Sequence, residues 1–451
     1  MITSFPSEAK ATAMSLLQNI NDLPKRTPFY YGWCVAGGAV MGVMASIPGQ
    51  TMGVSVFTPK LIEATGLTAQ QLSMAYGIGT VSSGLLLVRA GRLIDKIGVR
   101  TMMTMACIGL GLVLCFFANI GNVVSAGVDI LGESSAVILP MAIAMLSFFA
   151  LRFTGQGLMT MSPRVMMGKW WDKRRGRVSG FMGIFTAFAF GSAPFFLSLF
   201  ISWFGWQGAY YFMGGIVGTV VAFLCWLIYR ERPQDYGLVP DGHYIKAEYT
   251  DEPEKELRHF DLHEVRRSYP FWVFVLGLGG NGLVITGITF HIVQMSEVAG
   301  LTAQQGVAVF LPMSVLSVCS NFIGGWMSDK TPLKNILIVM MAMQAMGNLA
   351  FINFGDPVWR TFAIIGCGIA GGLWGCLVNV TWPRFYGTLH LGAISGQSGS
   401  VMVIASAIGP LILATSMEQT QSFGPGLALS AMIPISILIA AFWVKNPQLT
   451  K

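Results

Sequence analysis

The chain has 451 residues, 53% of them hydrophobic and only 11% charged, with a formal net charge of +7. Soluble domains carry roughly 25% charged residues, and a soluble enzyme of this length needs a charged outer face on most helices, which is absent, so that class is excluded. A nucleic-acid partner is excluded as well, because the basic surplus lies in short segments between apolar runs rather than on a soluble basic face.

In chain order, residues 1–28 form a polar tail with Lys10, Lys25 and Arg26. The apolar stretch behind it is too long for a signal-peptide core and has no small-residue cleavage pattern, so it is expected to remain as the first membrane helix. Twelve apolar stretches succeed one another, centred near Val40, Gly79, Leu110, Leu151, Phe190, Gly218, Gly282, Leu316, Met343, Ala370, Ala405 and Pro434. The uncharged runs 101–119 and 424–444 can each cross a hydrocarbon core of about 30 Å at about 1.5 Å per residue. This predicts an all-α membrane protein with a six-helix bundle over 29–229, a linker over 230–269, a second bundle over 270–445 and a tail over 446–451. With both termini cytoplasmic, Lys96, Lys169, Arg175, Lys330 and Arg384 fall inside and only Lys60 and Arg360 outside. That distribution sets the orientation, because Lys and Arg are retained on the cytoplasmic side.

Within the first predicted helix, Pro48-Gly49-Gln50 interrupts the apolar run. Proline removes a backbone donor and glycine adds freedom, so a break is expected here, exposing backbone groups that only a cavity or a neighbouring helix can satisfy. The break is predicted to lie at a substrate site.

The linker carries the acidic cluster Asp251, Glu252, Glu254 and Glu256, and then His259 and His263 flanking Asp261. Histidines four apart can ligate a metal on a helix, but no third ligand lies nearby, and a solvated linker is the expected role. The seven cysteines are scattered through apolar segments and read as small buried hydrophobes, with no disulfide framework and no metal site. No cofactor is expected.

The halves are related. Gly66-Leu-Thr-Ala-Gln-Gln71 recurs as Gly300-Leu-Thr-Ala-Gln-Gln305, an offset of 300 − 66 = 234. Gly91-Arg-Leu-Ile-Asp95-Lys96 recurs more loosely as Gly325-Trp-Met-Ser-Asp329-Lys330 at the same offset. Arg175-Gly-Arg-Val-Ser-Gly180 and Leu391-Gly-Ala-Ile-Ser-Gly396 form a third pair, each preceded by a Pro-Arg dipeptide at 163–164 and 383–384. Two unrelated strings at one offset indicate duplicated halves, which in a membrane protein place a pathway between them.

Charges inside the helices are few, because each costs several kcal/mol without a partner or cavity. Arg152 precedes Lys169 by 17 residues, about 25 Å if helical, near the middle of the fourth helix. Two readings stand for it: a brace on backbone carbonyls or on Gln156 one turn away, or a substrate contact. Arg89 lies six residues before Asp95, about 9 Å inside the membrane face, and is read either as a gate or headgroup contact or as a substrate contact. No carboxylate lies mid-helix, so a cationic substrate would lack a counter-ion, whereas an arginine facing a cavity favours an anion. His291, near the outer end of the seventh helix, is a candidate proton carrier or an interfacial hydrogen-bonding residue. The amides Gln50, Asn281, Asn321, Asn379 and Gln397 can join helices or line a site, and Trp374 can cap a substrate.

Gly91-Arg-Leu-Ile-Asp95-Lys96-Ile-Gly98-Val-Arg100 resembles the loop signature of the major facilitator superfamily, Gly-x-x-x-Asp-Arg/Lys-x-Gly-Arg/Lys, and Arg152-Phe-Thr-Gly-Gln-Gly157 is similar to that family's fourth-helix motif. Tyr30-Tyr31-Gly32-Trp33, Trp170-Trp171-Asp-Lys-Arg-Arg-Gly-Arg-Val-Ser-Gly180 and Arg232-Pro-Gln-Asp-Tyr-Gly237 look like its bacterial monocarboxylate-porter and oxalate/formate-antiporter branches. Those branches carry a substrate-binding arginine eight residues before the Asp of the second loop motif, and here that position is Asn321. The resemblance implies the major facilitator fold, with twelve helices in two six-helix pseudo-repeats and helices one, four, seven and ten around the cavity. It makes Gln50, Arg152, Asn281 and Asn379 the leading substrate candidates, followed by Arg89, Asn321, Trp374 and Gln397. Gly91, Asp95, Lys96, Asp329 and Lys330 become a cytoplasmic gate, in which Asp95 is expected to meet a helix dipole and loop basic residues. The expected function is alternating-access transport of a small, monocarboxylate-like organic anion, with proton coupling open, by a monomer in the lipid bilayer of a bacterial inner membrane. The alternative is a carrier of neutral or amphipathic molecules in which Arg152 is structural. Neither reading is enzymatic.

Overall fold

The computed structural model describes residues 21–132, 135–242 and 257–449. Lys10 and the acidic cluster Asp251, Glu252, Glu254 and Glu256 lie outside the described residues. Among the described residues, ten helical segments are long and apolar enough to span a membrane. Two more spans complete a set of twelve. The segment Arg175–Ile228 divides at Gly205, whose φ of 69° no helix accommodates, and a broken helix precedes the ten.

We number the spans in chain order. The first half has α1 in two pieces, Gly32–Ala45 and Thr51–Thr65, then α2 (Ala69–Ile97), α3 (Val99–Ala118), α4 (Ile138–Trp170), α5 (residues 175–204) and α6 (residues 206–228). The second has α7 (Tyr269–Val298), α8 (Ala303–Ser328), α9 (Leu333–Asn353), α10 (Pro357–Tyr386), α11 (Leu391–Thr420) and α12 (Gly424–Ala441). Every predicted centre falls within one of these spans, and no strand occurs among the described residues. The chain between α6 and α7 defines a linker side, and the α1–α2 turn defines the far side.

The duplicated hexapeptide is a helix stop followed by a helix start. Gly66 (φ 67°) and Gly300 (φ 73°) take the left-handed conformation that ends α1 and α7, a position where a side chain is strained. Two residues later Thr68 and Thr302 cap the next helix. Each hydroxyl accepts from the third helical N–H at 3.2 Å, while Gln71 and Gln305 each accept from the cap's own N–H at 2.9 Å. This reciprocal box satisfies two orphan donors in each copy.

Packing between the halves concentrates on the linker side, where α2 lies on α11 and α5 on α8. Both ends of the described linker are tied down. Glu231 pairs with Lys169 and accepts from the Val99 N–H at 2.7 Å, capping α3. Asp241 accepts from the backbone N–H groups of Asp172, Lys173 and Arg174 at 3.2, 2.7 and 3.2 Å, just before α5. Burial pushes its carboxyl above the usual range, opposed by those three N–H donors. The motifs that carried the branch resemblance meet in space: Tyr30 donates to the Trp170 carbonyl at 2.7 Å, and Trp33 lies edge-on to Trp171 at 5.0 Å.

At the other end, Phe260 N–H donates to the Tyr386 carbonyl at 3.1 Å. His259 Nδ1 accepts from the Thr388 N–H at 3.2 Å. His259 therefore precedes the short helix Leu262–Arg267 that carries His263, and the two histidines share no helical face.

Candidate functional site

Two backbone irregularities meet inside the first half. In α1 a tight 3₁₀ turn over Ile47–Gly49 is followed by an extended Gln50 (φ −89°, ψ 162°), so the predicted break is present. In α4 the segment Arg152–Leu158 is a wide π-type turn. The two touch at a glycine pair: a Cβ added to Gly49 would sit 2.7 Å from Gly155 Cα, and one added to Gly155 equally close to Gly49 Cα. Only glycines allow this approach. Irregular backbone at membrane depth persists only where protein or a cavity satisfies its freed groups.

Arg152 performs part of that task. It is 2% exposed, and its guanidinium donates to the Gly49 carbonyl at 3.1 Å. It also lies over the Tyr76 ring at 5.3 Å, and the Tyr76 hydroxyl donates to Thr51 Oγ1 at 2.9 Å, across the α1 break. Gln156 does not brace the arginine. Its Oε1, the Arg152 Nε and Thr80 Oγ1 on α2 are all buried without a hydrogen-bond partner among the described residues. The arginine's charge has no carboxylate beside it among the described residues. Gln50 donates to Ser46 Oγ at 3.0 Å, holding the near side of the break. Sequence reasoning missed Tyr76 and Thr51, since nothing in a lone Tyr on α2 indicates that it will face α4.

The other candidates scatter. Asn281 is buried and donates to Gln344 on α9, away from the α1–α4 contact. Trp374 donates to the Leu278 carbonyl at 3.0 Å, tying α10 to α7. Asn379 donates back to Gly375 at 3.0 Å within α10. Asn321 lies against Gly183 of α5 and Gly375 of α10, with its buried Oδ1 unpartnered. Gln397 is at the linker-side end, accepting from Arg266 Nε at 2.9 Å, so it does not join Arg152. Arg89 is exposed on α2 and makes no hydrogen bond or ion pair among the described residues. His291 Nε2 faces the Pro410 carbonyl at 3.0 Å, which requires the ring to donate there, bridging α7 to α11.

Of the residues expected to form a gate, Asp95 and Asp329 make two latches of one design. Asp95 on α2 accepts from the Gly392 and Ala393 N–H groups that open α11, at 2.7 and 2.8 Å. Asp329, just past the end of α8, accepts from the Gly176 and Arg177 N–H groups that open α5, at 2.9 and 3.1 Å. Each carboxylate thus caps a helix of the other half, on orphan donors and the positive end of a helix dipole. A Cβ on Gly91 would lie 2.0 Å from the Gly392 carbonyl oxygen, and one on Gly325 2.3 Å from that of Gly176. The basic residues are distributed otherwise than expected. Lys96 is exposed, Lys169 pairs with Glu231, and Lys330 lies over its own helix's Trp326 at 4.0 Å. Among the described residues, Asp329 alone of the two carboxylates forms ion pairs, with Arg177 at 3.3 Å and Arg384 at 3.2 Å.

Comparison with known proteins agrees with this architecture. The model of the Major Facilitator Superfamily matches residues 39–410. A curated relative, the probable L-galactonate transporter of Escherichia coli (strain K12), is 22% identical over 417 residues, covering 87% of this chain and 85% of its own. Among solved structures, the E. coli fucose:proton symporter is similar at a TM-score of 0.62 and 13% identity, covering 92% of this chain and 98% of its own. A proton:xylose symporter is similar at a TM-score of 0.63 and 14% identity, covering 91% and 94%. These structures show the shared fold, and the family and relatives are transporters rather than enzymes. A twelve-helix chain whose halves interlock through paired loop motifs, and whose sequence matches the family model over most of its length, is a multi-pass membrane protein of the major facilitator superfamily.

Proposed function

We propose that this protein moves a small organic anion across the bacterial inner membrane by alternating access, with the linker side and both termini cytoplasmic. The observation that carries the reading is Arg152: a guanidinium 2% exposed, with its Nε unpartnered and no carboxylate beside it, where the α1 break meets the α4 turn. Such a cation has already lost most of its own hydration and offers an incoming carboxylate charge-assisted hydrogen bonds. A substrate carboxylate approaching Arg152 competes with the Gly49 carbonyl for the guanidinium, and Tyr76, Thr51 and Gln156 offer neutral hydrogen-bonding groups nearby. The name of the relative, a probable L-galactonate transporter, is consistent with a carboxylate that also carries hydroxyls. His291 remains the candidate for proton coupling, and a monomer with two six-helix bundles is the working unit.

One observation favours a second reading. The Arg152–Gly49 bond is itself a brace across the break, and if that is its whole role the substrate is neutral. Uptake into proteoliposomes across a panel of sugar acids, small monocarboxylates and neutral sugars, with and without a pH gradient, separates the two. Arg152→Gln is expected to lower anion uptake about 30-fold or more, the cost of removing one desolvated charge partner. Equal uptake of anions by Arg152→Gln and wild type at matched expression excludes the anion reading.

A further inference from the structure

On the linker side, beside the Asp95 latch, lies a cavity of about 310 Å³. Arg92 and Asp95 of α2, Asp261 and His263 at the short helix Leu262–Arg267, and His390 and Ala393 at the start of α11 line it. Both carboxylates are already engaged. Asp95 accepts from Gly392 and Ala393, and Asp261 caps its own helix at the Glu264 N–H, 2.8 Å away. The side chains of Arg92, His263 and His390 make no hydrogen bond among the described residues, although His390 is attracted electrostatically to both carboxylates and His263 to Asp261. Of the other charges close by, Glu264 is paired with Arg258 at 2.7 Å and Arg266 is bonded to Gln397, while Arg267 is exposed. With neutral histidines the lining carries one cation against two carboxylates, and Arg266 and Arg267 beside it turn the balance around the opening to a net +1, which protonation of either histidine raises.

The rim of this cavity continues along one face of α2. Leu85, Arg89, Arg92, Leu93 and Lys96 are all exposed there, Leu85 at 60% and Leu93 at 43%. In a membrane-spanning helix, exposed leucines alternating with cations beside the membrane face match an amphiphile with an anionic head and a hydrocarbon tail. A soluble anion has no use for the leucines, and a zwitterionic lipid has less for the cations.

We propose that this cavity is a headgroup site for an anionic phospholipid, whose phosphodiester is held by Arg92, His263 and His390 and whose acyl chain runs along Leu85 and Leu93. The donors come from both halves, Arg92 from the first and the two histidines from the second. The site is therefore complete only while Asp95 is docked on α11, and a bound lipid holds the linker side closed. The proposal needs only the membrane setting and stands whatever the transported substrate is.

The test is lipid binding to the purified full-length protein, measured by native mass spectrometry with phosphatidylglycerol and phosphatidylcholine. Wild type is expected to retain phosphatidylglycerol at least about fivefold better, the usual gain from one added cation–lipid contact. Arg92→Gln with His390→Gln removes that preference, Arg92→Lys keeps it, and Lys334→Gln, which removes a charge from another linker-side segment, leaves it unchanged. Equal retention of the two lipids overturns the proposal, as does an equal loss in Lys334→Gln, which makes the attraction a general surface effect. Displacement of phosphatidylglycerol by excess inorganic phosphate overturns the lipid as occupant and assigns the site to a soluble anion. Asp95→Asn gives a test of sign. Coulomb attraction alone predicts tighter binding once a negative charge is gone, whereas a site spanning the halves predicts weaker binding as they part, and binding as tight as wild type or tighter refutes the spanning arrangement.

Discussion

The two latches share a backbone and differ in charge. Asp95 and Asp329 descend from one duplicated motif, and each caps the first N–H groups of a helix in the opposite half across a glycine–glycine contact. Yet Asp329, whose side chain is 3% exposed, also holds Arg384 and Arg177, whereas Asp95 pairs with no cation among the described residues. What duplication preserved is the part with strict geometry, two backbones in contact and a carboxylate at a helix start. What it let diverge is the surrounding charge, which tolerates change because a capped carboxylate already has its donors. The latch between α5 and α8 is therefore expected to be the stronger, and the one between α2 and α11 to yield first when the linker side opens.

The largest effect should come from the shared part. Gly91→Val and Gly325→Val each drive a side chain into a carbonyl oxygen, with the Cβ itself 2.0 and 2.3 Å away. The overpacking cost is about 1–3 kcal/mol or more against the closed state. Both variants should lose most transport while still reaching the membrane, and labelling from the linker side should find both open. If only one opens, the latches are not equivalent at the backbone.

The carboxylates should separate the two. Asp329→Asn gives up one cation contact across the halves, to the half-exposed Arg177, that Asp95→Asn does not have, so it should favour the linker-open state by at most about 0.5 kcal/mol more. Accessibility of a reporter thiol placed on the linker side of each variant measures this. Equal shifts would refute the asymmetry.

Smaller still are the cations one by one. Arg384 on α10 belongs to the same half as Asp329, so Arg384→Gln removes a contact that survives the parting of the halves and should shift the opening equilibrium little. Arg177 is 50% exposed, and Arg177→Gln should cost at most about 0.5 kcal/mol, falling with added salt. A larger effect for Arg384 than for Arg177 would show that the contact within one half matters more than the one across the halves.

Much of this was legible in one dimension, but unevenly. The recurring hexapeptide could be read as a helix boundary because its physics is local: a left-handed glycine and a Thr/Gln box act within six residues. The α1 break was legible for the same reason, since proline and glycine act on their own backbone. The amides were not. Residue type and helix number group Asn281 with Arg152, and residue type alone adds Gln397, yet the structure bonds one to Gln344 and the other to Arg266. A mid-helix amide declares that it wants a partner without saying in which direction it points. The same limit hid Tyr76, whose contact with Arg152 depends on how α2 and α4 are rotated against each other.

By itself, then, the sequence determined the class, the number of spans, the duplication and the positions where helices start, stop or break, because composition and local backbone chemistry act over a few residues. Only the tertiary structure decided that Gly49 lies on Gly155 beneath a buried arginine, that Asp95 and Asp329 each cap the other half, and that only one of the two latches recruited cations. Those pairings join residues far apart in the chain, and they follow from how the helices pack and rotate against one another, which no local pattern encodes.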